Sequence, residues 1–166
     1  MKNNLASKRC LLTPVAKTDF ASFKELRTNP QIRQYLGGPV PLDSLGSWFF
    51  QVLNPEEEVH IWAVREKSSE QFVGLLTLDP HHRQEDMQIS YEFLPAFWGQ
   101  GYASETIQVI LQYIFEDLDW PKIVAETQTA NMASVRLLER LGFVRKETLY
   151  RFGAEQSIYL LEAHKK

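Results

Sequence analysis

The sequence predicts one mixed α+β domain, a mostly antiparallel central sheet of about seven strands flanked by about four helices. Three observations carry this expectation. The hydrophobic spacing changes from a helical period to a strand period after Pro55. One long amphipathic stretch places Ile107, Ile110, Leu111, Ile114, Phe115 and Leu118 at i, i+3, i+4, i+7, i+8 and i+11, framed by strand-like segments. The 166 residues, 44% hydrophobic and 12% aromatic, suffice to bury about 70% of the unfolded surface in one core but not to build two ordinary domains. No low-complexity run, Gly/Ser tract or internal repeat divides the chain, so residues 1–166 read as a single domain.

Residues 10–14 read as a short first strand. Thr18 stands where a helix cap belongs, with Phe20, Phe23 and Leu26 at helical spacing up to about Arg27. Asn29-Pro30 is a second start signal, an Asn cap followed by proline at the first helical position. The run Gly37-Gly38-Pro39-Val40-Pro41 stops that helix. Another helix is predicted over residues 42–53, with Leu45, Trp48, Phe49 and Val52 on one stripe. Strands follow at residues 60–66, 71–78 and 86–94; in the last, Met87, Ile89, Tyr91 and Phe93 alternate with Gln88, Ser90, Glu92 and Leu94. Consecutive antiparallel pairing is the simple reading. The long helix ends at Trp120-Pro121, residues 122–127 form a buried strand, and Asn131 caps a shorter helix that Gly142 terminates. Residues 143–150 and 156–161 close the chain as a hairpin.

Composition excludes several functions. With 18 Lys+Arg against 21 Asp+Glu, net charge −3, no basic excess exists to track a nucleic-acid backbone or an anionic membrane, so neither is expected as a partner. Cys10 is the lone cysteine, which removes an internal disulfide framework and a multi-cysteine metal site. His81-His82 has no partner at a recognisable zinc spacing, so no metal is expected. The first twenty residues lack the apolar region of a signal peptide, and no later stretch approaches a membrane span; a cytoplasmic protein is expected.

The stretch WGQGYASE, residues 98–105, lies between the third meander strand and the long helix. Gly99 and Gly101 allow a tight turn and close approach of a ligand to the backbone, while Ala103 keeps the helix start slim. A helix N-terminus offers unpaired N–H groups and about half a positive charge, which suits a phosphate. A bare glycine turn is the bland alternative, and placement between strand and helix favours phosphate. A dinucleotide-binding Rossmann site fits poorly: the third glycine is absent, the preceding strands read as hairpins, and the chain is too short for two mononucleotide-binding halves.

WGQGYASE followed by NMASVRLLERLGF, residues 131–143, resembles the GNAT acetyltransferases, and most their Rim-type branch, which includes ribosomal-protein N-terminal acetyltransferases. The resemblance implies the acyl-CoA N-acyltransferase fold, with acetyl-CoA as acetyl donor in a cleft where two parallel strands splay apart. It implies that the backbone amides of Gln100, Gly101, Tyr102, Ala103 and Ser104, in the turn begun by Gly99, hold the pyrophosphate. Phe93 and Leu94 would pair with the pantetheine as a strand would, and Asn131 would bond the cofactor arm, a role compatible with helix capping. The loop of residues 37–41 and the helix after it occupy the region that shapes acceptor choice.

Three departures matter. Trp98 replaces a frequent Gln or Arg, at little cost because the contacts come from backbone. Leu138 stands where a tyrosine general acid is frequent, leaving Ser134, one turn earlier, as the remaining hydroxyl. Gln88 replaces a frequent glutamate, and an amide cannot act as a base. Glu92 shares a strand face with Gln88 and Ser90 and is the carboxylate expected to act as base, against a plain ion-paired role; Asp86 and a water chain are alternatives. Backbone N–H groups near Tyr91 and Phe93 are candidate oxyanion donors. Deprotonating a lysine amine at pH 7 costs about 4.6 kcal/mol and an α-amine about 1.4 kcal/mol, so an N-terminal amine asks less of the base. The expected activity is direct attack of a primary amine, on a small molecule or a protein N-terminus, on the acetyl donor. A non-catalytic CoA-binding sensor is the alternative, and oligomeric state is open, a homodimer included.

Overall fold

Strand pairing in the computed structural model, which describes residues 4–82 and 86–164, follows the chain until one crossover. The strands are β1 (Leu5–Ala6), β2 (Cys10–Thr13), β3 (His60–Glu66), β4 (Phe72–Pro80), β5 (Met87–Phe93), β6 (Lys122–Gln128), β7 (Val144–Arg151) and β8 (Ala154–Glu162). The helices are α1 (Phe20–Thr28), α2 (Pro30–Arg33), α3 (Leu45–Leu53), α4 (Tyr102–Gln112) and α5 (Met132–Arg140). Among the described residues the strands form one sheet in the order β1-β2-β3-β4-β5-β6-β8-β7. All neighbours are antiparallel except β5 and β6, which run parallel and share the single registered pair Gln88 and Val124. The expected mixed, mostly antiparallel α+β fold is present, with the two-residue β1 as an addition that too short a sequence pattern could not signal.

Side chains alternate across a strand, and the two faces of this sheet carry different helices. Leu76 and Leu78 of β4 and Ile89 and Phe93 of β5 join Ile107, Ile110 and Ile114 and Leu138 of α5 in the larger core. Leu75, on the other face of β4, packs with Ala63 and Phe72 against Leu26 of α1 and Ile32 of α2. Phe23, Val40, Leu45 and Phe49 extend that second layer. Ile107, Ile110 and Ile114 are fully buried, each worth about 1.5–3 kcal/mol in transfer from water; this stripe fixes α4 over the sheet.

Helix starts agree with the sequence signals in one case and differ in another. Asn29 caps α2 as expected, its Oδ1 accepting from the Gln31 and Ile32 amides at 2.8 and 3.3 Å. At α1 the cap expected at Thr18 is replaced by Asp19, which accepts from the Ala16 amide at 2.8 Å and pairs with Arg65 of β3 at 2.6 Å. The long helix ends in a π-helical turn, Tyr113–Asp117, closed by the Leu118 amide donating to the Tyr113 carbonyl at 3.0 Å.

The end of β5 depends on a glycine. Gly74 of β4 lies opposite Phe93, and a Cβ there would fall 2.5 Å from the Glu92 carbonyl oxygen and 2.6 Å from the Phe93 ring. Gly74→Ala is therefore expected to lower the unfolding free energy by about 2 kcal/mol, measured by chemical denaturation. An unchanged midpoint contradicts this packing.

Candidate active site

The parting of β5 and β6 creates the site. In the antiparallel pair β4 and β5, residues alternate between bonding the partner and turning away from it. The Leu94 amide donates to the Val73 carbonyl at 2.9 Å, so Tyr91 and Phe93 direct their backbone N–H and C=O groups to the opposite edge, toward β6. Beyond Val124, β6 does not meet them. The opening lies at the C-terminal ends of both strands, beside the starts of α4 and α5.

At one end stands the loop of residues 98–101. Gly101 has φ +83°, a left-handed conformation that strains any residue with a Cβ. No side chain caps α4 there, so the first-turn amides, which have no intrahelical acceptor, are left for a ligand. The side chains hold this loop from behind. Arg9 donates to the Gln100 carbonyl at 2.9 Å and to Glu105 Oε1 at 2.8 Å. Ser7 Oγ and the Arg9 amide both donate to Glu105 Oε2, at 2.5 and 2.9 Å. Burial opposes ionisation of Glu105, but these hydrogen bonds outweigh it and hold its carboxyl below the usual range. The Arg9 guanidinium stacks 3.9 Å over the Tyr102 ring, and the Tyr102 hydroxyl donates to Glu66. Tyr102 thus offers a ligand its amide and keeps its side chain in the scaffold. Gln100 likewise donates back to the Ala96 carbonyl at 2.7 Å.

Trp98, which stands where the family often has a polar residue, serves the scaffold, its indole Nε1 donating to the Phe93 carbonyl at 2.8 Å. Phe93 keeps its N–H toward the gap, while the Leu94 amide is already bonded to β4. The strand-like pairing expected of Phe93 and Leu94 is therefore available chiefly at the Phe93 amide and, two residues earlier, at Tyr91.

At the other side of the gap, Asn131 Oδ1 accepts from the Ser134 amide at 3.2 Å, capping α5. A ligand contact from Asn131 would come from its amide nitrogen. Ser134 is buried, and its Oγ lies 2.5 Å from the Tyr91 hydroxyl. Burial pushes the Tyr91 phenol up to about 12, so it keeps its proton at any physiological pH. Leu138 is in the core. Sequence reasoning found Ser134 and the backbone near Tyr91 but missed the Tyr91 hydroxyl as its partner, because Tyr91 sits 43 positions away and nothing local marks the contact.

Glu92, the carboxylate expected to act as base, is found in the ion-paired arrangement weighed against that role. Its Oε1 lies 3.2 Å from Arg33 Nη1 and its Oε2 3.3 Å from Arg27 Nε, with the side chain 11% exposed. Both oxygens are engaged by cations from α1 and α2. Arg33 also donates to the carbonyls of Gly38 and Leu36, at 3.0 and 2.7 Å. Glu92 is therefore the anchor through which β5 holds the loop of residues 36–41. The alternatives are also placed against other groups: Asp86 meets Lys122 at 2.8 Å, and Gln88 lies opposite the half-buried Asp79 of β4. Trp62 and Phe49 lie in the cores.

Residues 9–144 match the acetyltransferase (GNAT) domain family, and the chain belongs to that family. It is an acetyltransferase whose acetyl donor is acetyl-CoA. The uncharacterized N-acetyltransferase YoaA of Bacillus subtilis is 26% identical over 159 residues, 89% of this chain and 86% of the relative. An acetyltransferase structure from Agrobacterium tumefaciens superposes with a TM-score of 0.84 at 21% identity, covering 98% of this chain and 95% of that one. The spermidine N-acetyltransferase of Vibrio cholerae, solved with CoA and spermine, gives 0.78 at 19% identity, covering 93% and 95%. Among the described residues no helix is long and apolar enough to cross a membrane.

Removing the Glu92 charge strands two arginines in a partly buried site. Glu92→Gln is expected to lower the unfolding free energy by about 2 kcal/mol while the pH profile of kcat/KM keeps its acid limb. Unchanged stability together with loss of that limb would identify Glu92 as the base.

Proposed function

We propose that this chain, a single N-acetyltransferase domain of the Rim-type branch, transfers the acetyl group of acetyl-CoA to a primary amine by direct attack, with an α-amine as the preferred acceptor. The observation that carries this reading is the gap between β5 and β6, flanked by the uncapped start of α4 and by the Tyr91–Ser134 hydroxyl pair. When bound, the donor supplies a thioester carbonyl. The amides of Gln100 to Ser104 hold the pyrophosphate, aided by the α4 dipole. The Tyr91 and Phe93 amides stand at the gap as hydrogen-bond donors, for the pantetheine and for negative charge that develops on the carbonyl oxygen.

Ser134 is the proton donor to the departing sulfur, and Tyr91 replenishes it while taking up the proton that the attacking amine releases through water. Two hydroxyls at 2.5 Å form a relay in which the phenol is protonated before and after the transfer, as burial requires. Positive charge on the amine leaves through water, since Glu92, Asp86 and Gln88 are all engaged. The engagement of Glu92, Asp86 and Gln88 favours an acceptor that gives up its proton near neutral pH: an α-amine costs about 3 kcal/mol less to deprotonate than a lysine-type amine. A relative that binds spermine makes polyamines the natural comparison.

Thiol release should be measured with N-terminal peptides, free amino acids, lysine peptides and polyamines. Robust turnover is expected on α-amines; binding of acetyl-CoA with turnover on none of them would mark a sensor. Ser134→Ala is expected to lower kcat by about 100-fold and Tyr91→Phe by about 10-fold, with acetyl-CoA affinity retained. Full rates in both variants contradict the relay. Gly101→Glu adds backbone strain and a like charge at the anion site, and is expected to abolish acetyl-CoA binding in isothermal titration.

The raised phenol also sets a pH dependence. In the unfolded chain Tyr91 loses its proton near pH 10 and in the folded one near pH 12, so between these values the unfolded state binds fewer protons and folding stability falls as pH rises. Tyr91→Phe is expected to reduce that alkaline loss, read by denaturation at pH 9 to 11.

A further inference from the structure

We propose that His81, His82 and Glu126 form a binding site for a divalent transition-metal ion of the zinc type, on the sheet face opposite α4. His81 Nε2 lies 2.9 Å from Glu126 Oε1, and His82 Nδ1 lies 3.5 Å from the same oxygen. One ligand atom from each residue can be chosen so that all three lie within 4.8 Å of one another. Tetrahedral zinc, with bonds of about 2.0–2.2 Å, needs neighbouring ligand atoms about 3.3–3.5 Å apart. The His81–Glu126 separation is short of this by a few tenths of an ångström, so an ion is admitted by a small rotation of the His81 ring.

Further features orient the three groups. Arg151 Nε holds the other carboxylate oxygen, Glu126 Oε2, at 2.9 Å, leaving Oε1 to face the histidines as a monodentate ligand; such outer partners are what fix a ligand's direction in metal sites. The Arg151 guanidinium in turn lies 4.3 Å over the Phe152 ring. The His81 amide donates to the Asp86 carbonyl at 2.8 Å, pinning the backbone that carries the imidazole. His81 and Glu126 are almost enclosed, with side chains 4% and 8% exposed, whereas His82 is 32% exposed. That leaves one open side, where water can complete four-coordination.

The donor set selects the ion. Two imidazole nitrogens and one carboxylate oxygen suit zinc and its neighbours, not calcium or magnesium, which take oxygen ligands. The positive Arg151 opposes a dication, and Asp79 offsets it: this carboxylate shares the face with Glu126 through the register Asp79, Gln88, Val124. Its Oδ1 is buried without a hydrogen-bond partner among the described groups.

The placement gives the ion a structural consequence. His81 follows β4 and Glu126 lies on β6, two residues past the last pair that β6 makes with β5. A bound ion therefore ties β4 to β6 over the face of β5 and sets how far the cleft can open. Ion binding at this site depends neither on the acceptor nor on the Tyr91–Ser134 relay.

The test uses the full chain, free of any affinity tag and stripped with a chelator, titrated with Zn2+ by calorimetry and with Co2+ by visible absorption. Saturable binding of one ion per chain and the intense bands of four-coordinate Co2+ are expected. His82→Ala, at the most exposed ligand, is expected to weaken Zn2+ binding by about 10-fold or more with an unchanged circular dichroism spectrum. Glu126→Gln is expected to weaken it further while acetyl-CoA binding persists, and His60→Ala should leave it intact. No saturable binding by the wild-type chain overturns the proposal. So does affinity unchanged in both His82→Ala and Glu126→Gln, which would mark a surface ion.

Discussion

One shared residue pair between β5 and β6 governs this molecule. A sheet interior ordinarily satisfies every backbone N–H and C=O with the next strand, and here the ladder stops at Gln88 and Val124, leaving Tyr91 and Phe93 facing a gap. The Trp98 indole takes the Phe93 carbonyl, and the remaining groups have the spacing of a strand edge, which an extended chain with alternating amides can fill. Both flanking helices start at this gap, so dipoles, orphan amides and the Ser134 hydroxyl converge on it without any cationic side chain being required.

That convergence explains how an acidic chain handles a polyanionic donor. Five arginines are committed to carboxylates or carbonyls of the scaffold: Arg9 to Glu105, Arg27 and Arg33 to Glu92, Arg65 to Asp19, Arg151 to Glu126. They shape the site from behind. Arg9 is the telling case: it neutralises the glutamate in the first turn of α4 and grips the Gln100 carbonyl, turning the opposite side of the loop, with its N–H groups, toward the ligand. Phosphate recognition is thereby built from backbone geometry, which needs glycine at residue 101 and tolerates Trp98.

What the sequence makes legible follows from range. Periodicity over neighbouring residues identified β3 to β6, the buried stripe of α4 and the Asn29 and Asn131 caps, because those signals are written within a turn or a strand. The glycine loop was equally local. The roles that escaped sequence reading depend on contacts between distant positions: Tyr91 with Ser134 across 43 residues, Glu92 with Arg33 across 59, His81 with Glu126 across 45. Glu92 shows the limit most clearly. Its strand face was correctly read, but a carboxylate's availability depends on what lies over that face, and the arginines of α1 and α2 carry no local mark that they will land there. At α1, Thr18 had the right side chain for a cap, yet Asp19 could serve both the Ala16 amide and Arg65, and the doubly bonded residue prevailed.

If the loop amides and the open edge of β5 are the donor site, acetyl-CoA must shield them from solvent. Amide hydrogen exchange with and without acetyl-CoA tests this directly. New protection is expected at residues 100–104 and at Tyr91 and Phe93, with little change in β1 to β3. Protection confined to other segments, or none at saturating acetyl-CoA, would contradict it.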